Sequence, residues 1–295
     1  MKHSLAVVVA VLVALAAGPV FSQAQNAKRV DLQLVIAVDV SQSVDRNEAT
    51  LQRDGYAKAL LDPNLLKAIK NGRNGRIAIT YLEWAGWGLF RHTVDWTVID
   101  GEDSARQFIA QMNSASIVSG RGTSIATAID VATSLFPISP FPAERRVIDI
   151  SGDGANNQGL SVTAYKDMAL AQGITINGLP ILNDQGGVGG SVADLDVYYS
   201  ECVIGGPGSF VIAAQNFESF GQAILRKLIL EVAGLGPLDD WERFGVPRTT
   251  KVQYFGPPAG LQPAPYGGTA GGPKKYYPYC DIPMRGTPTI FPSPF

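Results

Sequence analysis

Residues 32–43 read LQLVIAVDVSQS, and this stretch decides the fold. A nearly unbroken apolar run, Leu32 to Val38, ends in Asp39, as a strand covered on both faces should read. Asp39, Ser41 and Ser43 then alternate along the chain and lead into a helical pattern at 45–61, with Leu51, Ala57, Leu60 and Leu61 on its apolar face. Segments 76–84 (RIAITYLEW) and 89–98 (LFRHTVDWTV) are β-branched and aromatic, so both are predicted strands. Beyond them the pattern predicts helices at 103–112 and 124–135, a strand at 146–151, a helix at 161–172 and a strand at 174–180. A helix at 194–203, a strand at 209–213 and a helix at 217–233 complete the series. Strands separated by helices of this length imply an α/β fold: an open, mostly parallel twisted sheet with helices on both faces, in a Rossmann-like three-layer arrangement.

Composition narrows the function. Of the 295 residues, 46% are hydrophobic and 17% charged, which excludes whole-chain disorder. The formal charge of −2 comes without a basic stripe, so no nucleic-acid partner is expected. Two histidines, His3 and His92, rule out zinc sites with several His ligands. His92, on an edge-like strand, reads as structural or exposed.

Both ends of the chain differ from its middle. Lys2 and His3 precede an apolar run from Leu5 to Ala17, followed by Ser22-Gln23-Ala24, a small-x-small ending. This predicts a signal peptide over 1–24, cleaved before Gln25, because the run is too short to cross about 30 Å of hydrocarbon. Residues 25–234 then form the α/β domain, located outside the cytoplasm (periplasmic or secreted), with no transmembrane span after cleavage. Residues 235–295 hold 12 of the 19 prolines, together with Tyr276, Tyr277 and Tyr279. This Pro/Gly/aromatic-rich tail is either a flexible extension or a segment lying against the body or a partner. Cys202 and Cys280 are the only cysteines. In an exported chain they suggest a bridge pinning the tail to the body, although Cys202 would also suit a buried free thiol.

Ligands of open α/β sheets bind outside the carboxyl ends of the strands. There stand Asp39, Ser41 and Ser43 after the first strand, Gly152-Asp153-Gly154 after the 146–151 strand, and Gly120-Arg121-Gly122-Thr123-Ser124 between them. Two carboxylates and several hydroxyls, with no nitrogen or sulfur, suit a hard divalent cation. Taken singly, Ser41 and Ser43 could merely cap a helix and Asp153 merely make a turn.

Together these residues resemble the metal-ion-dependent adhesion site (MIDAS) of von Willebrand factor type A domains, across roughly residues 30–234. The segment from Tyr198-Tyr199 to Ser209-Phe210 is also similar to a bacterial exported branch of that superfamily, of unknown function. The resemblance implies that Ser41, Ser43 and Thr123 ligate a cation, with Asp39 and Asp153 binding it directly or through water. Mg²⁺ is the expected metal, with Mn²⁺ or Ca²⁺ as alternatives. One position would be left for an acidic residue of an unidentified partner protein.

Neighbouring residues carry a weaker signal. Asp149 reads as support for the site or as a satisfied structural carboxylate. Asn156 and Asn157 could line the site or shape the turn, Trp84 could pack or touch ligand, and Arg121 could attract an anion or be solvated. The glycine-rich run 186–190 reads as a loop. Three functions are weighed. The first is a non-enzymatic binding module. The second is a Mg²⁺-dependent phosphohydrolase with Asp39 as nucleophile. The third is a structural envelope protein acting through its tail. The hydrolase would resemble haloacid-dehalogenase-like phosphatases, which need an acid/base Asp two residues after the nucleophile, where this chain has Ser41.

Overall fold

The computed structural model describes residues 29–182, 195–234 and 280. The signal segment, the glycine-rich run and, apart from Cys280, the tail lie outside these residues. Five strands form one sheet: β1 (Val30–Asp39), β2 (Ile77–Trp84), β3 (Phe90–Ile99), β4 (Ala143–Gly152) and β5 (Thr175–Pro180), in the order β3-β2-β1-β4-β5. Only the edge pair β2–β3 is antiparallel. The helices are α1 (Arg46–Leu60), α2 (Pro63–Lys70), α3 (Glu102–Ser114), α4 (Ile125–Leu135), α5 (Val162–Ala171), α6 (Leu195–Tyr198) and α7 (Phe220–Ala233). A π-helical turn, Tyr199–Val203, continues α6. No described helix is long and apolar enough to cross a membrane.

Alternation along β1 divides the core in two. Leu32, Leu34, Ile36 and Val38 pack on one face with Tyr56, Leu60, Leu65, Phe108, Phe220 and Leu228. Val35 and Ala37 pack on the other with Ile125, Ile129, Ile148, Ile150, Val162 and Tyr199. A strand buried on both sides therefore anchors the sheet, as its sequence requires. The expected fold class is the observed one.

Two elements differ from expectation. The sequence reading passes from the first helix to β2 with nothing between, yet α2 occupies 63–70. Pro63 opens that helix behind the Asp62 cap, whose carboxylate accepts the Asn64 N–H at 2.8 Å; proline is tolerated in the first turn, where its missing N–H has no partner to lose. The expected strand at 209–213 is instead a pair of isolated bridges, Gly178↔Val211 and Ile181↔Ala214. The Gly178 N–H reaches Phe210 O and the Ala214 N–H reaches Pro180 O. Pro180 has no N–H to return, so the ladder is interrupted there.

Cys202 and Cys280 are bonded, with Cα atoms 5.3 Å apart and a sequence separation of 78. Both are buried in the second core. The bridge fixes one point of the tail beside the π-turn.

Candidate metal site

Strand register sets the site. β1 lies between β2 and β4, with Asp39 opposite Trp84 and Val38 opposite Ser151. The loops after β1 and β4 therefore emerge side by side. A capping box at Asp45 and Glu48 starts α1 immediately after the first loop: the Glu48 N–H donates to Asp45 at 2.9 Å, and the Asp45 N–H to Glu48 at 2.8 Å. Asp45 thus caps α1, and neither Ser41 nor Ser43 is used for that purpose.

Asp39 is fully buried. Its Oδ1 accepts the Ser41 N–H at 2.7 Å, while Oδ2 has no hydrogen-bond partner. The hydroxyls of Ser41 and Ser43 are 2.9 Å apart, and Ser43 donates to Asp153 Oδ1 at 2.7 Å. Gly152 carries the β4 backbone past this group; a Cβ there would fall 2.8 Å from Asp39 Oδ2 and 2.9 Å from the Tyr199 hydroxyl. Only glycine fits.

The third loop joins through Ser41, which bridges to Gly120, and through the Gly120 N–H, which donates to Val40 O at 3.0 Å. Thr123 is buried. Its N–H donates to Asn157 Oδ1 at 2.9 Å, and its carbonyl accepts the N–H groups of Asn157 and Gln158. A Cβ on Gly154 would lie 3.5 Å from Thr123 Oγ1. Asp39, Ser41, Ser43, Thr123 and Asp153 are thus brought to one place by three loops.

The electrostatics of this place are unbalanced. Burial, and next the charge of Asp153, push the Asp39 carboxyl well above its ordinary range. Burial raises Asp153 as well. Among the described residues, no basic side chain forms an ion pair with either. A buried carboxylate oxygen without a partner is costly unless a cation or proton meets it. Three hydroxyls and a second carboxylate on the loops that meet beside Asp39 are the kind of oxygen donors a hard divalent cation takes.

Other candidates resolve individually. Asp149 is fully buried and its Oδ1 lies 2.6 Å from Lys227 Nζ, so it belongs to an ion pair between β4 and α7. Glu231 meets the same ammonium at 2.5 Å and accepts from Asn177 Nδ2 at 2.8 Å. Sequence reasoning missed Lys227; its signal is the i,i+4 Lys–Glu pair inside the run Ile224–Val232, which is apolar at every other position except Arg226. Asn156 and Asn157 serve the third loop, Asn156 Oδ1 accepting the Ala126 N–H at 3.2 Å in the first turn of α4. Trp84 is buried as packing, and Glu83 pairs with Arg53 and Arg91. His92 is exposed on β3, its Nε2 2.6 Å from Thr80 Oγ1. Tyr199, buried with its hydroxyl unpartnered beside Gly152, was not singled out as part of the site.

Solved structures share this fold. The open form of pilus adhesin SpaC from Lactobacillus rhamnosus GG matches with a TM-score of 0.50 at 11% identity, over 69% of this chain and 30% of the adhesin. Proximal thread matrix protein 1 from the mussel byssus, in the form described with a zinc-occupied MIDAS motif, matches with a TM-score of 0.51 at 15% identity, over 70% of this chain and 48% of its own. This chain therefore spans less than half the length of either protein. At these identities the likeness is one of fold, and the fold is that of von Willebrand A-type domains. No curated protein matches the sequence. A family model described as "Protein of unknown function (DUF1194)" matches residues 29–236, and the chain belongs to that family.

Proposed function

We propose that the chain is an exported, non-enzymatic binding module. Its α/β domain, residues 25–234, holds a divalent cation through Asp39, Ser41, Ser43, Thr123 and Asp153, and uses it to take a carboxylate from a partner protein. One observation carries this reading: Asp39 Oδ2 is buried, unpartnered and close to a second carboxylate, with no basic side chain paired to either among the described residues. The cation would supply the missing charge and an electrophilic position for an acidic ligand; the protein's own part is to fix the five oxygens. Two carboxylates balance the charge of Mg²⁺, so a further acidic group can join without a strongly anionic site. The mussel protein, described with zinc in its MIDAS motif, lends weight to a metal in this fold. Hard oxygen donors place Mg²⁺ first, with Mn²⁺ and Ca²⁺ next.

Export rests on the leader over 1–24 and on the Cys202–Cys280 bridge, since stable disulfides belong to oxidising compartments. A non-enzymatic role rests on Ser41, which stands where a phosphohydrolase of the Asp39 type would need a carboxylic acid. Isothermal calorimetry with Mg²⁺, Mn²⁺, Ca²⁺ and Zn²⁺ tests the centre of the reading. Binding to wild type that disappears in Asp39→Ala supports it. Absence of binding by any of the four rejects it.

A further inference from the structure

Beside the candidate cation position, three turns interlock around Gln158. Its Oε1 accepts the Trp87 N–H at 3.0 Å, and its own N–H donates to Thr123 O at 3.1 Å. A Cβ on Gly86 would lie 2.0 Å from Arg121 O and 2.2 Å from Gln158 Oε1. On Gly122 it would lie 2.2 Å from the Gln158 side chain, and on Gly159 2.5 Å from Ser124 Oγ. The turns 85–89, 120–124 and 153–160 are therefore packed around the Gln158 side chain, with no room for another at Gly86, Gly122 or Gly159. Whatever they display is held rigidly relative to Thr123.

What they display is unusual for a surface. Trp87 is 73% exposed and Leu160 52% exposed, two of the five large apolar side chains left in solvent among the described residues. Arg121 is exposed on the turn whose backbone abuts Gly86, the residue before Trp87. Gly88, at φ 97°, lets the turn reverse while the Ala85 N–H reaches Leu89 O at 3.1 Å, and nothing packs where its Cβ would be. A single exposed apolar residue needs no explanation. A rigidly mounted Trp, with Leu160 and Arg121 exposed on the two turns packed against its own and both of those turns carrying candidate cation ligands, has the composition of a binding hot spot. A +2 ion and a guanidinium on one rim select a negative partner.

We infer that Trp87, with Leu160 and Arg121, is the contact platform for residues flanking the metal-bound carboxylate. The ligand is an extended acidic segment of a partner protein, bearing an aromatic or branched apolar side chain close to its Asp or Glu. This rests on the cation-binding reading above and adds the partner's chemistry to it. Arg121 takes a second acidic group of the same segment.

The full exported chain, immobilised with Mg²⁺ and panned with a displayed random-peptide library, tests this when bound peptides are released with EDTA. Released peptides should pair an acidic residue with a bulky apolar neighbour. They should bind Trp87→Ala about tenfold or more weakly and Trp87→Phe nearly normally, with Mg²⁺ affinity and melting temperature unchanged in both. Equal binding to wild type and Trp87→Ala overturns the platform while leaving the cation site standing. Failure to recover any EDTA-released peptide on a Mg²⁺-binding protein overturns it too. Metal-independent, Trp87-dependent binding to phosphatidylglycerol vesicles would make this a lipid-docking surface instead. Loss of Mg²⁺ binding by wild type itself would remove the underlying reading, which calorimetry without peptide detects separately.

Discussion

Ser43 Oγ donates a 2.7 Å hydrogen bond to Asp153 Oδ1, a residue 110 positions further along the chain. The bond ties the loop after β1 to the loop after its sheet neighbour β4. With Ser41 Oγ 2.9 Å from Ser43 Oγ, it forms a short relay of oxygens ending on a carboxylate. In a free protein such a relay keeps hydroxyls and carboxylates facing one another, so little reorganisation is needed when a cation arrives.

The buried charge of Asp39 makes its removal informative. Asp39→Ala deletes a desolvated carboxylate rather than core packing, so the metal-free variant should melt at or above the wild-type temperature. Mg²⁺ at a hundredfold excess over Kd should stabilise wild type by ~2.7 kcal/mol and leave Asp39→Ala unmoved. Thermal melts with Mg²⁺ and with EDTA measure both effects. A variant that still responds to Mg²⁺ would place the cation elsewhere.

Gly152 tests the packing under the site. A methyl group there would press on Asp39 Oδ2 and on the Tyr199 hydroxyl, both in the interior, where neither can retreat into solvent. Overpacking of this kind costs about 1–3 kcal/mol, and the displaced carboxylate should lower Mg²⁺ affinity tenfold or more. Gly152→Ala should therefore fold, melt lower and bind metal poorly. Calorimetry that finds normal affinity would show that Asp39 is not held where its bond to Ser41 places it.

The difference between what sequence and structure reveal follows from range. β1 was legible because a strand buried on both faces needs a continuous apolar run, and its loop because the Asp-x-Ser-x-Ser that follows resembles an adhesion-site motif. Asp153 and the 120–124 loop followed from the rule that loops at one sheet edge share a site, whereas Thr123 within that loop was picked out by the resemblance to the adhesion-site motif. The helix at 63–70 was hidden by Pro63, which reads as a breaker although it is here an initiator. The bridge-only segment at 209–214 was hidden by Pro180, which lies on the partner strand and not in the segment itself. Lys227 and Tyr199 were hidden for a third reason: their meaning depends on which distant carboxylate they face, Asp149 in one case and Asp39 in the other. The apposition of Asn157 and Gln158 with Thr123 depends on packing between loops, which local pattern does not encode.

The Asp149–Lys227–Glu231 cluster should make stability depend on pH. Burial pushes the Asp149 carboxyl from 3.8 up to about 7, against the lowering effect of Lys227. Glu231 faces it from α7, and Tyr56 faces it from α1. Between those two pH values the folded protein keeps a proton that the unfolded chain has released. Stability contributed by this group therefore falls as pH rises from about 4 to 7, then levels off. Asp149→Asn should flatten that part of the profile while Lys227 stays paired with Glu231. Denaturant melts of both proteins at pH 5, 6, 7 and 8 give the comparison; parallel profiles would mean that Asp149 stays ionised throughout.

The Cys202–Cys280 disulfide ties the tail to the core beneath the candidate site. Cys202 sits in the π-turn three residues after Tyr199, whose hydroxyl lies beside Gly152 under the candidate site. Cys280 is buried against the same core cluster as Tyr199 and Val203. In the chain-entropy account, closing a loop of this length is worth about 4 kcal/mol, so reduction should lower the melting temperature by many degrees. Cys202→Ser with Cys280→Ser should reproduce that fall in non-reducing buffer. Because the bridge fastens the turn that carries Tyr199, the double variant should also bind Mg²⁺ more weakly at temperatures where it is fully folded. Thiol titration of the unreduced, denatured chain comes first, and two free thiols would show that the bridge is not formed. A bridged protein whose double variant keeps both its melting temperature and its Mg²⁺ affinity would confine Cys280 to tethering the tail.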